Sequence, residues 1–429
     1  MTASVGYEQV QAWVEIMLGQ THATVVRTTA WIVLCVLMAQ RVTTAALARA
    51  LPADQGGSGR ARLTRVRRWW AGPPLEQTVV SPQLIQAALT LLPPGQPVVV
   101  ALDTTRLGRW EVWLAGMVVG GRTVPIGWAV IPYPWPKGRF RTTTSALIQR
   151  LQEAFPPSVS WSVVADRGFP SALLFAQLRQ AGTSCSIRLR LNVWVTVAGV
   201  YAMVAEHLEA GRLVVGQRTA AVMGGGQRDQ PLVPGWIAVS AAVVVPPKHK
   251  QNPGTERERR QRATARAKQR ARKYGRHTTP PSATARRYAQ TWVLFTTAPT
   301  VPHAVAEYAQ RMAIEETFRD WHSGWGVRHV AVALPTATMV DRLIGAVCLA
   351  YSLQMSLGQR LSADPLGQQR RAQWTVTDRV SWFWCGQRLF HDPGYDWRTW
   401  LTAQWSVLID RLVPVIFTSA SAPLVDKAA

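Results

Sequence analysis

The segment from residue 96 to 132 limits the fold more than any other part of the chain. It opens with "VVVALDTT" (98–105), five apolar residues followed by one carboxylate, Asp103, and two threonines. It continues as "EVWLAGMVVGGRTVPIGWAVIP" (111–132), two runs rich in β-branched and aromatic residues around Gly120-Gly121. Such runs suit a pleated sheet, and paired glycines suit a tight hairpin. Three successive strands therefore begin a sheet. The acid that ends the first strand has two readings. It is a cap or turn where the chain leaves the sheet, or a carboxylate held there for metal or proton chemistry.

A second apolar strand ending in an acid follows. "TTSALIQRLQEAF" (143–155) has the pattern of an amphipathic helix, and "VSWSVVADRGFP" (159–170) is a strand that runs into Asp166. After Asp166 comes Arg-Gly-Phe, and the glycine leaves room for close approach by a ligand or a neighbouring chain. "PSALLFAQLRQAG" (170–182) reads as a helix with a glycine stop, and "SCSIRLRL" (184–191) as another strand. The order of strands and helices predicts an α/β fold with a mixed sheet over 96–190. Each acid alone reads as a turn or cap. Two acids in matched contexts weigh against that.

The flanking regions differ in character. Residues 1–95 predict helices: "RTTAWIVLCVLMAQ" (27–40), then "RVTTAALARALP" (41–52) with Thr43 or Thr44 as a cap, then "GSGRARLTRVRRWWAG" (57–72). The last, wound as a helix, puts Leu63, Val66 and Trp70 on one face and crowds Arg60, Arg62, Arg65, Arg67 and Arg68 around the rest. That is either a solvated basic face or a helix that touches a DNA backbone. "SPQLIQAALTLLPPG" (81–95) closes the region as a helix, with Ser81 at its cap and Pro82 in its first turn. Residues 191–298 read mainly as β, interrupted by a basic run. From Lys248 to Arg287 there are 14 Lys and Arg against 2 Glu. That is half of the chain's net +24, and a run this basic either solubilises or binds a polyanion. Residues 299–350 return to helix, and 351–429 read as a Trp-rich helical region.

Charge and cysteine usage narrow the class. Forty-eight Lys and Arg against 24 Asp and Glu point first to nucleic acid and second to an anionic membrane surface. The basic run has no apolar stripe of the kind an interfacial helix uses, which disfavours the membrane. "AWIVLCVLMA" (30–39) is too short to span a bilayer and reads as a buried helix. Cys35, Cys185, Cys348 and Cys385 form no zinc-type spacing and fit reduced thiols in a cytoplasmic protein.

The helix predicted over "PHAVAEYAQRMAIEETFRDWHSGWG" (302–326) carries a third acid. Tyr308, Arg311 and Glu315, at i, i+3 and i+7, share one face, whereas Glu316 points about 100° away. Such a face is either exposed, with a local Arg–Glu pair, or part of a site.

"ALDTT", "VVADRGF" and "YAQRMAIEETFRDWH" together resemble DDE transposases of bacterial insertion sequences. They are most similar to the cut-and-paste group that carries a Tyr-x2-Arg-x3-Glu-x6-Lys signature. The resemblance spans roughly residues 25–350. It implies an RNase H-like mixed-sheet catalytic core at 96–190 and 299–350, split by a β-rich insertion at 191–298, with an N-terminal helical DNA-binding region and a C-terminal helical region. It implies Asp103, Asp166 and Glu315 as catalytic metal ligands for two Mg²⁺ ions, with Mn²⁺ able to substitute. It implies that Tyr308 and Arg311 touch transposon-end DNA. The expected partners are the double-stranded DNA of ends and target and, during synapsis, a second copy of the chain. The expected location is the bacterial cytoplasm, on the nucleoid. One position departs: where the signature has Lys, seven residues past Glu315, stands His322. Either His322 works protonated beside a phosphate, or Arg319 or Arg328 substitutes for the lysine. The activity so implied is cleavage at terminal inverted repeats and transfer of the 3′ hydroxyl into target DNA. The alternatives are a nuclease of the same fold without strand transfer, and an inactive transposase-derived DNA-binding protein.

Overall fold

The computed structural model describes residues 6–19, 22–51, 57–72, 75, 81–136, 138–224, 231–241, 291–374, 381–392 and 396–410. The basic run at 248–287 lies outside the described residues. The chain divides into two compact units. Unit 1 comprises Met1–Phe169, Leu173–Cys185 and Glu307–Ala429, and unit 2 comprises Pro170–Ala172 and Ser186–Ala306.

Unit 1 begins with helices α1 (Tyr7–Leu18), α2 (Ala23–Ala39), α3 (Thr44–Ala50), α4 (Gly59–Trp70) and α5 (Ser81–Leu89). Local chemistry fixes two of the starts. Thr43 accepts a hydrogen bond from the Ala46 amide and Ser58 one from the Ala61 amide, which satisfies donors a helix leaves bare at its first turn. α2 is buried along most of its length, including Cys35. Among the described residues no single helix is long and apolar enough to cross a membrane.

Strands β1 (Val98–Leu107), β2 (Trp110–Val119) and β3 (Arg122–Pro132) follow as a meander. Gly120 and Gly121 have φ of 56° and 74°, the pair of positive angles that a two-residue hairpin turn requires. Helix α6 (Arg139–Ala154) crosses over, and β4 (Trp161–Ala165) returns parallel to β1. The strand order in this unit is β3-β2-β1-β4. Helix α7 (Ala172–Gln180) and strand β5 (Ser184–Arg188) come next.

In one respect the strand pattern differs from expectation. β1 does not stop at Asp103; it continues to Leu107 as the antiparallel partner of β2, with Asp103 opposite Leu114. What ends near Asp103 is the parallel ladder, whose last pair is Leu102 with Ala165.

In unit 2, β5 pairs antiparallel with β10 (Val293–Thr296), and the order runs β5-β10-β9-β8-β6-β7. The other members are β6 (Trp194–Val197), β7 (Val200–Met203), β8 (Arg218–Met223) and β9 (Val233–Val239), with helix α8 (Val204–Glu209) between β7 and β8. Among the described residues the pairings of these strands are antiparallel. Ile187, Val195, Ile237 and Leu294 are fully enclosed within it.

The chain then forms α9 (Val301–Ala309), α10 (Met312–Arg319), a π-helical turn (Asp320–Gly324), α11 (Val327–Ala333), α12 (Ala337–Ala363), α13 (Pro365–Trp374), α14 (Trp382–His391) and α15 (Trp397–Asp410). α12 is the buried axis of unit 1: everything from Val340 to Gly358 is buried. Three polar side chains inside are linked in a row. Gln40 accepts from Trp325 Nε1 (2.7 Å) and donates to Gln354 (3.0 Å), which donates to the Phe383 carbonyl (2.9 Å). This chain of bonds ties α2, α12 and α14 together, and each member would be costly to leave unmade at that depth.

Candidate active site

Two devices seat α10 on the sheet. The β2–β3 ladder shifts register at Ala115/Gly116, and the Thr123 amide beside that shift donates to Thr317 Oγ1 on α10 (2.9 Å). Farther along, Arg122 Nε donates to Asp320 Oδ2 (2.8 Å), which also accepts from the buried Tyr351 hydroxyl (2.9 Å). The C-terminal half of α10 is thereby held against β3.

The predicted continuous helix is broken. α9 ends at Ala309, and Arg311 and Ile314 donate to carbonyls three residues back, Tyr308 and Arg311. The tightened turn brings Tyr308, Arg311 and Glu315 together by a route the 3.6-residue period does not describe. Tyr308 and Arg311 are buried, at 2% and 6% exposure. The Tyr308 hydroxyl donates to Asp166 Oδ1 (3.2 Å). The Arg311 guanidinium donates from one nitrogen to Asp103 Oδ2 and from the other to Glu315 Oε1, both at 2.8 Å. Asp103 and Asp166 each stand one residue past the last pair of the parallel ladder, so adjacent strands deliver them to the same level. The three acids, far apart in sequence, therefore meet around one tyrosine and one arginine.

The charge balance is tight. Burial pushes the Asp103 carboxyl up to about 6; Arg311 and the Thr104 amide oppose this, and Asp166 and Glu315 add to it by repulsion. For Arg311, burial disfavours the cation, but Tyr308, Asp103, Glu315 and Asp166 outweigh it and keep the guanidinium charged. Tyr308 and Arg311, expected to touch DNA, both point inward to carboxylates in this arrangement.

Glu316 faces elsewhere and pairs with Arg319, which is more than half exposed. His322 lies in the π-helical turn, which breaks the α spacing assumed from Glu315. Its Nε2 is 2.8 Å from Thr105 Oγ1, two residues along β1 from Asp103 and so on the same strand face. Burial, and then the nearby Arg328, lower its pKa from the ordinary 6.5. Both effects disfavour the protonated ring, and in this arrangement His322 is the hydrogen-bond partner of a threonine. Arg319 and Arg328 are exposed, as are Arg106 and Arg167 near the two aspartates in sequence. Arg65, Arg67 and Arg68 are exposed on α4, which packs against α2, α3 and α12. The sequence reading passed over Thr105 and Arg342. An arginine inside the otherwise apolar "MVDRLIGAVCLAYSLQ" was the available signal for the second.

As to a metal, the donor set suits a hard divalent cation: three carboxylates converge, and a positive charge already sits between two of them. As the side chains stand, among the described residues no three His, Cys, Asp or Glu are gathered closely enough to hold an ion. The guanidinium spans the space between Asp103 and Glu315.

Residues 141–353 match the family model described as "Transposase DDE domain". The matched segment is just under half of the chain. It takes in Asp166, Tyr308, Arg311 and Glu315 but begins after Asp103, so Asp103 joins the set through the β1–β4 register and its ion pair with Arg311. The likeness supports transposase function within a mixed α/β architecture. No curated protein matches the chain.

Proposed function

We propose that this protein is a DDE-type DNA transposase with an RNase H-like catalytic core, acting on the inverted repeats at the ends of a bacterial insertion sequence. One observation carries the reading: Asp103 and Asp166 occupy neighbouring positions at the end of the β1–β4 ladder, and Arg311 draws Glu315 to them. Three acids so placed repel one another unless a cation is shared.

In this mechanism Asp103, Asp166 and Glu315 would hold two Mg²⁺ ions, with Mn²⁺ as substitute. When bound, the ions would supply an activated water and stabilise the departing 3′ oxygen. The chain's own groups orient the ligands. Tyr308 fixes one oxygen of Asp166, and Arg311 fixes one oxygen each of Asp103 and Glu315. Arg311, once freed from those oxygens, has the charge and fork geometry to take a phosphate of the transposon end. Arg319 and Arg328 supply the exposed positive charge that the signature assigns to its lysine. Arg65, Arg67 and Arg68 on α4 grip the duplex backbone. The freed 3′ hydroxyl then attacks a target phosphodiester, forming a new P–O bond as the target strand's own 3′ oxygen leaves, with two copies of the chain bringing two ends together.

The test is cleavage of the element's own terminal repeats with Mg²⁺ or Mn²⁺. Asp103→Ala, Asp166→Ala and Glu315→Ala should each abolish it, whereas Glu316→Ala retains most of it. Loss with Glu316→Ala and retention with Glu315→Ala would overturn the assignment. Pre-cleaved ends mixed with target plasmid separate a transposase, which joins them, from a nuclease, which does not.

A further inference from the structure

A cavity of about 660 Å³ opens beside α4, away from the acids. It is lined by Thr28, Ser58, Arg60, Thr64, Arg65, Arg68, Trp69 and Arg342, and by no acidic side chain among the described residues. Three of the arginines lie on α4. The fourth, Arg342, comes from the buried axis α12 and is only 3% exposed. Its guanidinium lies over the Trp69 ring, 4.5 Å from the centroid. Gly72 makes room for it, because a Cβ there would sit 2.7 Å from Arg342 Nη1. The seat for this buried cation is thus built from an aromatic face and a missing side chain. Burial lowers Arg342 to about 10, which still leaves it charged at neutral pH. The amino end of α4, with Ser58 as its cap, contributes to the same wall and adds the positive end of a helix dipole.

Four guanidinium groups and the Ser58 hydroxyl border one space, with Asp341 beside Arg342 offsetting part of its charge. The space is within the range of ordinary ligand pockets. Arginine forks and hydroxyls match tetrahedral phosphate oxygens.

We propose that this cavity is a phosphate site that seats one phosphodiester of the DNA backbone, fixing the register of the duplex against the N-terminal helices. The proposal rests on the DNA-binding part of the function above and adds to it Arg342, Trp69 and Gly72. It separates the α4 arginines into two kinds. Arg65 and Arg68 face the cavity; Arg67, exposed on the same helix, does not line it.

The experiment uses the full chain and two probes, a duplex of arbitrary sequence followed by fluorescence anisotropy and inorganic phosphate followed by thermal shift. Arg65→Ala and Arg68→Ala should each weaken duplex binding about five- to tenfold and lower the salt slope by about 1. Both should also remove the stabilisation by phosphate. Gly72→Ala, which crowds the Arg342 guanidinium, should do the same, with circular dichroism confirming the fold. Arg67→Ala should weaken the duplex but keep the phosphate response. If phosphate stabilises the protein while the cavity variants hold duplex at full affinity, the site serves a free phosphate and the proposal fails. If neither probe distinguishes the variants from the natural chain, it fails outright. A chain that never cuts DNA yet loses duplex with the cavity variants would refute the transposase reading and leave this site standing.

Discussion

Burial raises the Asp103 carboxyl to about 6 from its ordinary 3.8, against the pull of Arg311. A raised folded-state value means that the folded chain holds this proton more tightly than the unfolded chain does. Below about pH 4 both states are protonated and Asp103 has no effect. Between about 4 and 6 only the unfolded chain has released its proton, so stability falls as pH rises; above 6 the loss is complete, at about 3 kcal/mol. Urea titrations of the metal-free protein should show this decline, and Asp103→Asn should flatten it. A variant with the same pH slope as the natural chain would contradict the assignment. Arg311 is the other half of the balance. Its guanidinium neutralises two acids, and its Nε is buried without a partner among the described residues. Arg311→Gln should therefore lose about 1–3 kcal/mol in metal-free buffer. Added Mg²⁺ should restore more stability to the variant than it gives the natural chain, because a bound cation supplies the missing charge. A melting temperature indifferent to Mg²⁺ would count against a cation site at these acids.

Elements show where sequence is legible and where it is not. The hairpin was readable because Gly120-Gly121 solves a local problem, two positive φ angles in succession. The α3 cap at Thr43 was readable for the same reason. Asp103 was misplaced within its strand because β1 has two partners of unequal length, and nothing local records where the parallel one stops. The break at Gln310–Arg311 and the π-helical turn depend on contacts with β1, β3 and α12, so periodicity alone drew one helix through both. The crossing of α12 and α14 was equally hidden. A Cβ at Gly358 would lie 1.8 Å from the Trp382 carbonyl oxygen, and one at Gly386 would lie 2.2 Å from that of Gln354. These obstacles are backbone, so no change of rotamer relieves them and the helices must part. Gly386→Ala should lower stability by about 3 kcal/mol, seen as a fall in denaturant midpoint at constant slope. Gly59→Ala, where an added carbon meets nothing within 4 Å, should change little.

For the molecule as a whole, the distribution of charge along the chain matters most. Half of the net +24 falls within 248–287, inside the connection that leads from β9 to β10. The ends of that connection are already joined: Val239 pairs with Val293, and the Ser240 amide donates to the Trp292 carbonyl (2.9 Å). A short glycine-containing turn in place of 242–290 therefore closes the hairpin without disturbing the ladder. Such a deletion should fold with an unchanged melting temperature within a few degrees, since it keeps the β9–β10 ladder intact. Its DNA binding should change in one particular way. Each phosphate neutralised contributes about 0.9 to the slope of log affinity against log salt, so losing this run should flatten the slope by roughly 3 or more. Affinity at low salt should drop, whereas the difference between low and high salt shrinks. The cavity beside α4 predicts a smaller, localised loss, so combining the deletion with Arg65→Ala should add the two effects, as independent sites do. A deletion that leaves the slope where it was would return the run to the role of a solubilising tract and leave duplex binding to unit 1.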